Sequence, residues 1–309
     1  MNIYAKSLER AINNFYKCEN QISHQTIFNA IHDGLNNGMN VIIPIETPEE
    51  IISGDKSKDK IALNFRHLRI TEDGQYFIPV FTSEAQLQKG EPTSAVEQPL
   101  KTLIDALGTW ERCMGIAINP WGEHLAVTKP MLKILNAYTP KSQISIVRAS
   151  VLDIEADAIV NSANERLEGG LGLTSAIHKA AGPKLLTECK ELGGCRPGMA
   201  KKTAAYDIKT ADYIFHTVGA KFVDDKDAGA RLATSYINCM NLALANGCKS
   251  IAFPCISTGA NGYALETSAK VAILTIGHWL SEHKDTVINV YLCCNTDEEY
   301  AAYKGITKK

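Results

Sequence analysis

No run in the sequence approaches the ~18 consecutive apolar residues that a membrane-spanning helix needs, so none is expected. The first stretch, Met1 to Glu19, is interrupted by Lys6, Glu9, Arg10 and Lys17 and lacks the continuous hydrophobic segment of a signal peptide, which predicts a cytoplasmic protein. No cysteine pair has C-x-x-C spacing near a histidine ligand set, so no zinc site is expected. The nine cysteines, an odd number, then read as reduced thiols, with Cys239, Cys255, Cys293 and Cys294 acting as small hydrophobes inside apolar segments. Excess charge is also missing: a formal net charge of −2 gives no bulk attraction to nucleic acid, and Lys201-Lys202 is too small a basic cluster to change that. Trp110, Trp121 and Trp279 have no spacing that suggests a base-stacking platform and read as packing residues. Internal repeats and low-complexity tracts are absent. What remains, 45% apolar and 21% charged residues, is an ordinary globular composition, and 309 residues favour two domains over one core.

The first half shows helical periodicity over Ile3–Tyr16 and Gln25–Asn36, then β-type runs at Val41–Ile45, Ile61–Phe65, Leu68–Thr71 and Tyr76–Phe81. Gly74, after Glu72-Asp73, supplies a hairpin turn. A helix carrying Leu100, Leu103, Ile104 and Leu107 leads to strands Gly115–Ile118 and His124–Val127 around the turn Asn119-Pro120-Trp121-Gly122. A helix from Met131 to Tyr138 closes this half. Pro140 cannot continue it, so Thr139–Ser142 is the expected linker, with domains at 1–138 and 142–309.

From Gln143 strands and helices alternate. Strands are expected at Ile144–Arg148, Ala158–Asn161, Lys202–Asp207, Tyr213–Val218, Ser250–Ile256 and Val287–Cys293. Helices are expected at Ser175–Ala181, Pro183–Leu192, Gly229–Asn246, Leu265–Ser281 and from Asp297. That order predicts a three-layer α/β/α domain with a mixed, largely parallel sheet. Two of its strands, Ala158–Asn161 and Ser250–Ile256, each end in a small-residue loop before a helix. Free backbone N–H groups in such places hold phosphates, so a diphosphate-bearing ligand is expected.

DAIVNSAN at 157–164, AIHKAAGP at 176–183, YIFHTVG at 213–219 and SIAFPCISTGANGY at 250–263 make the second half resemble a macrodomain, the ADP-ribose-binding module. The resemblance implies that Asn164 hydrogen-bonds the distal ribose and, in hydrolytic members, orients a nucleophilic water. It implies a first loop at Gly169, Gly170, Leu171, Gly172 and Leu173 beside the diphosphate and distal ribose. A second, diphosphate-wrapping loop would be Ser257, Thr258, Gly259, Ala260, Asn261 and Gly262, with Tyr263 packing beside the distal ribose. Ser150, just before Val151, stands where many members have an aspartate that accepts from the adenine amino group. A neutral acceptor there weakens binding by ~1–2 kcal/mol. Thr174 stands where the hydrolase subgroup has its catalytic aspartate, and threonine is no general base at neutral pH. Viral macrodomains lack that aspartate too yet can hydrolyse, so activity is not excluded. Leu171 interrupts the glycine run and must point away from the ligand or narrow the pocket.

Asn161 reads as a turn-forming, structural residue, whereas Asn164 reads as the ligand contact. His178 and His216 lie among apolar neighbours and read as packed, hydrogen-bonded histidines rather than acid–base groups; Cys255 reads as packing. In the first half, Ile78-Pro79-Val80-Phe81-Thr82-Ser83 after a hairpin and IAINPWG at 116–122 resemble the N-terminal domain of the SseB family, which implies an α+β fold and a protein partner for residues 1–138. Three functional readings follow: an ADP-ribose reader, an ADP-ribosylhydrolase working through Asn164, or an interaction scaffold with a degenerate pocket. None needs a metal or cofactor, and neither nucleic acid nor membrane is an expected partner.

Overall fold

The computed structural model describes residues 2–18, 21–46, 64–136, 138–221 and 226–307. The chain divides into two compact units, Met1–Tyr16 with Ile27–Pro140 and Lys17–Thr26 with Lys141–Lys309.

Among the described residues the first unit contains most of the helices Ile3–Lys17 and His24–Asn36 and seven short strands: β1 (Asn40–Glu46), β2 (Asn64–Phe65), β3 (Leu68–Arg69), β4 (Tyr76–Val80), β5 (Ala95–Pro99), β6 (Cys113–Ile118) and β7 (Leu125–Thr128). They form two sheets, ordered β2-β1-β5 and β3-β4-β6-β7. Leu8, Ile12, Ile31, Ile43, Val80 and Ile116 belong to one buried cluster, the inward faces of the periodic segments. Gly74, at φ 81°, turns the chain between the antiparallel strands β3 and β4. Asn119 takes the left-handed φ of 52° that opens the expected turn between β6 and β7. It is buried, and its Oδ1 accepts from the Thr82 backbone N–H at 3.0 Å. Two elements escape sequence reading. Strand β5, Ala-Val-Glu-Gln-Pro, is an edge strand whose polar residues carry no β signal and whose existence depends on pairing with β1. The helix Glu84–Leu87 is a single turn. The closing helix runs Lys129–Asn136, with Pro130 in its first turn, so it starts and stops earlier than its periodicity suggests. Of the expected strand Ile61–Phe65, residues 61–63 lie outside the described residues.

The second unit has an α/β fold around one six-stranded mixed sheet: β8 (Ile144–Arg148), β9 (Ala158–Ser162), β10 (Ala200–Ala204), β11 (Tyr213–Thr217), β12 (Ser250–Pro254) and β13 (Asn289–Cys294). The order is β10-β11-β9-β12-β13-β8, and only the β10–β11 pair is antiparallel. Successive strand residues alternate between two cores. Val160, Phe215, Phe253 and Leu292 pack with Leu232, Tyr236, Ile276 and Tyr303 from the helices Ala228–Ala245, Leu265–Glu282 and Asp297–Thr307. Ile159, Ile214, Ala252 and Tyr291 pack with Ile177 and Leu185 from the helices Leu173–Ala181 and Pro183–Glu191, and with Cys18 and Ile22. Burial on both faces explains why β9, β12 and β13 read as nearly unbroken apolar runs, whereas the edge strand β10, Ala-Lys-Lys-Thr-Ala, does not. Strand β10 ends at Ala204 rather than Asp207, because Tyr206 takes a φ of 52° and bends the chain away. All nine cysteines are free, and all but Cys255 are buried. Among the described residues no helix is long and apolar enough to cross a membrane, and no group of three metal-ligating side chains converges.

Candidate functional site

Because β8, β13, β12 and β9 are parallel neighbours, their carboxyl ends lie side by side, and the segments that follow them enclose a cleft of about 1020 Å³. Ala149, Ser150 and Val151 line it after β8, and Asn295 and Glu299 after β13. The segment Ser257–Asn261 lines it after β12, and Asn164 with Gly170–Thr174 after β9. Fifteen residues of this unit are the expected ligand contacts, and twelve of them meet at this one cleft; Gly169, Gly262 and Tyr263 do not line it. Tyr263 is 5% exposed and packs in the core with Tyr236 and Ile256.

The first loop is shaped by Gly172, whose φ of 62° and ψ of −133° suit a residue without a β-carbon. Gly172 caps the helix Leu173–Ala181 without any side-chain cap. The first-turn N–H groups of that helix therefore have no intrahelical acceptor, and the helix dipole adds positive potential at the same place. Leu171 is 96% exposed, so its side chain projects into solvent from the rim of the cleft and leaves the floor open. A β-carbon on Gly170 would touch Asn164 Nδ2 at 3.7 Å and Thr174 Cγ2 at 3.8 Å, which brings those two side chains to the same corner.

Asn164 is exposed and braces its own loop: Nδ2 donates to the Glu168 carbonyl at 2.9 Å, and Oδ1 accepts from the N–H groups of Arg166 at 3.1 Å and Glu168 at 3.3 Å. An amide nitrogen has two protons, and among the described residues only one of them is bonded, which leaves the other to point elsewhere. Thr174, 6% exposed, donates its hydroxyl toward Asn161 Oδ1 at 2.9 Å and the Ser162 carbonyl at 3.0 Å. Asn161 Nδ2 in turn lies 3.1 Å from His216 Nδ1, and His216 Nε2 lies 2.9 Å from Thr203 Oγ1. Asn161 is structural, as its sequence setting suggests, but through a buried side-chain chain rather than a local turn. Burial, and next the charge of His178, lowers the His216 pKa to about 3, so His216 is neutral at physiological pH. His178 is shifted down as well by burial, and its Nε2 is a buried atom without a hydrogen-bond partner among the described residues.

In the second loop Ser257 adopts a φ of 68°, a conformation that costs a residue with a β-carbon ~1–2 kcal/mol. The loop is held by Tyr263 N–H donating to the Ser257 carbonyl at 3.0 Å and Gly262 N–H donating to the Gly259 carbonyl at 3.0 Å. Thr258 Oγ1 donates to the Cys255 carbonyl at 3.1 Å. A β-carbon on Gly219 would collide with Ser257 Oγ, so a larger residue there requires the Ser257 side chain to move. A β-carbon on Gly259 meets nothing within 4 Å, so that position opens onto free space. At the other end, Ser150 Oγ accepts from the Leu152 N–H at 3.3 Å. There Arg148 also donates to the Asn295 carbonyl at 2.5 Å, and Glu299 accepts the Asn295 N–H at 2.6 Å. Asn295 and Glu299 are not among the expected site residues; Asn295 directly follows the last apolar strand, and Glu299 lies in the first turn of the helix Asp297–Thr307.

The Macro domain family matches residues 160–272, and the SseB protein N-terminal domain matches residues 8–133. The Macro domain-containing protein CT2219 of Chlorobaculum tepidum is 42% identical over 162 residues, covering 52% of this chain and 93% of that protein. ADP-ribose glycohydrolase MACROD2 of Xenopus laevis is 41% identical over 164 residues, but the match covers 39% of its length and 52% of this chain. Among solved structures, the Oceanobacillus iheyensis macrodomain with ADP superposes with a TM-score of 0.52 at 32% identity, over 54% of this chain and 91% of that one.

Proposed function

Since the chain belongs to the macrodomain family through its second half, we propose that the cleft at the carboxyl ends of β8, β13, β12 and β9 binds ADP-ribose, free or carried on a protein. The observation that carries this reading is the convergence of two small-residue loops, one of them opening a helix N-terminus at Gly172, on that single cleft. A diphosphate lying between them meets unsatisfied N–H groups and the positive end of a helix dipole. Adenine then takes the end at Ser150 and Val151, with Ser150 Oγ as acceptor for its amino group, and the distal ribose reaches Asn164. The Oceanobacillus relative holds ADP, which is the adenine and diphosphate part of this ligand. Calorimetric titration of ADP-ribose into the full chain tests the reading, with Gly259→Glu as control. Saturable binding that the control abolishes supports it; no heat at millimolar ligand, or undiminished affinity in the variant, overturns it.

The name of the Xenopus relative, a glycohydrolase, favours hydrolysis as a second reading. Water would attack the anomeric carbon of the distal ribose while the bond from that carbon to the linked group breaks. The spare Nδ2 proton of Asn164 would orient the sugar and the water, and the loops would limit the charge at the oxocarbenium-like centre. Thr174 supplies no base, because a neutral hydroxyl does not take up a proton at neutral pH, and its own proton is directed at Asn161 Oδ1 and the Ser162 carbonyl. Release of ADP-ribose from a mono-ADP-ribosylated protein, measured on wild type and Asn164→Ala, separates reader from hydrolase.

For the first half the reading is an α+β, SseB-like domain over residues 1–138 that selects a protein partner for the domain at 142–309. A variant lacking residues 27–138 tests this while keeping Cys18 and Ile22, which are buried in the second unit. Unchanged capture of cellular proteins by that variant overturns the assignment.

A further inference from the structure

A second cleft of about 850 Å³ adjoins the first and shares Ala163, Asn164 and Asn261 with it. The sheet order fixes how the two are arranged. From β8 through β13 and β12 to β9 the strand ends belong to the first cleft. From β9 to β11 and the approach to β10 they belong to the second, through Val218, Gly219 and Pro197. The two clefts form one trough along the carboxyl edge of the sheet, with Asn164 where they join. If the distal ribose lies at Asn164, whatever is attached to its anomeric carbon continues into the second cleft.

The second cleft carries both signs of charge. Arg166, Lys221 and Arg231 line it, and so do Glu165 and Glu168. A nucleic-acid backbone presents anionic oxygens and no N–H donors, so two carboxylates in the wall oppose it. A polypeptide presents carbonyls and backbone N–H donors together, and carboxylates accept the latter. The three cations add a preference for acidic side chains on that polypeptide.

We propose that the second cleft seats the polypeptide flanking an ADP-ribosylated residue and prefers a flank that carries aspartate or glutamate. The inference rests on the ADP-ribose reading of the first cleft. It makes the protein selective for where on a protein the modification sits, through residues that do not touch the nucleotide.

The test compares four ligands on the full chain by calorimetry: free ADP-ribose, an ADP-ribosylated oligonucleotide and two peptides of equal length, each bearing mono-ADP-ribose through a linkage that water cannot cleave. One peptide has aspartates beside the modified residue and the other has lysines. The aspartate peptide is expected to bind about fivefold tighter than free ADP-ribose, the worth of one or two solvent-exposed ion pairs, and the lysine peptide no tighter than free ADP-ribose. The preference should shrink in 1 M salt, where screening acts within about 3 Å. In the double variant Arg166→Gln and Lys221→Gln the preference for the aspartate peptide over the lysine peptide should be lost, with free ADP-ribose affinity within about threefold of wild type. Equal affinity for the two peptides overturns this inference alone, as does tighter binding of an ADP-ribosylated oligonucleotide than of the aspartate peptide. Failure of free ADP-ribose to bind overturns the reading of the first cleft and this inference with it.

Discussion

Replacing Thr174 with aspartate would introduce the residue that the resemblance to hydrolytic macrodomains implies for this position, yet the structure predicts a damaged fold rather than a better enzyme. Thr174 is 6% exposed, and the two atoms facing its hydroxyl, Asn161 Oδ1 at 2.9 Å and the Ser162 carbonyl at 3.0 Å, are both acceptors. An ionised carboxylate has no proton to give them. Loss of that donor costs about 1–3 kcal/mol, and a negative charge held beside two oxygens adds to the loss. The position lies in the first turn of the helix Leu173–Ala181, where an acidic side chain recovers about 0.3–1 kcal/mol. The net expectation is a loss of about 1–3 kcal/mol at pH 8. Because the folded state favours the protonated acid, the introduced aspartate has a folded pKa above its unfolded value of about 3.9. Its penalty is therefore smallest below pH 4 and grows as pH rises through the folded pKa. Urea denaturation followed by hydrogen exchange in peptides covering β9 and the helix Leu173–Ala181 measures this in the second unit alone. A Thr174→Asp protein as stable as wild type at pH 8 would refute the reasoning. So would a gap to wild type that fails to narrow by about pH 4, or a hundredfold gain in ADP-ribose release.

Gly259→Glu should lower ADP-ribose affinity at least about 100-fold, by filling the second loop and repelling the diphosphate. Unfolding free energy should stay within about 0.5 kcal/mol of wild type, since a β-carbon there meets nothing; calorimetry and urea denaturation read the two effects separately. Asn164→Ala, under the hydrolase reading, should cut turnover about 10²-fold while affinity falls less than tenfold, as expected for a group whose contacts strengthen in the transition state; equal losses in both would assign it to ground-state binding. His216, with a folded pKa of about 3 against about 6.5 unfolded, contributes its full stability above pH 6.5. That stability is lost as pH falls from 6.5 toward 3, by up to about 1.4 kcal/mol per pH unit. In a His216→Gln variant this component of the acid slope should disappear, and an unchanged slope would show that the buried imidazole is not its source.

Much of the second unit was legible because its code is local. Apolar runs marked the strands of the parallel part of the sheet, and the small-residue stretches that follow them marked both loops within a residue or two of where β9 and β12 end, since a parallel sheet covered on both faces needs continuous hydrophobic strands and brings their ends together. The antiparallel edge strand β10, Ala-Lys-Lys-Thr-Ala, carries no such run and starts two residues earlier than expected. The fate of individual side chains was less legible, because it depends on partners far along the chain. Leu171 could have pointed either way by sequence, and only the loop conformation sends it to solvent. Tyr263 sits two residues from lining Asn261, but the bond from its N–H to Ser257 turns the chain so that the ring enters the core. Thr174 differs from an aspartate by its donor, and what that donor is for becomes visible only when Asn161, thirteen residues earlier, is seen turned toward His216, fifty-five residues later. The second cleft was unreadable for the same reason. Its cations, Arg166, Lys221 and Arg231, are ordinary surface charges in sequence, and only the order β9-β11-β10 brings them to one wall beyond Asn164. A motif therefore locates the nucleotide in such a domain, whereas selectivity for what the nucleotide is attached to is written in sheet order.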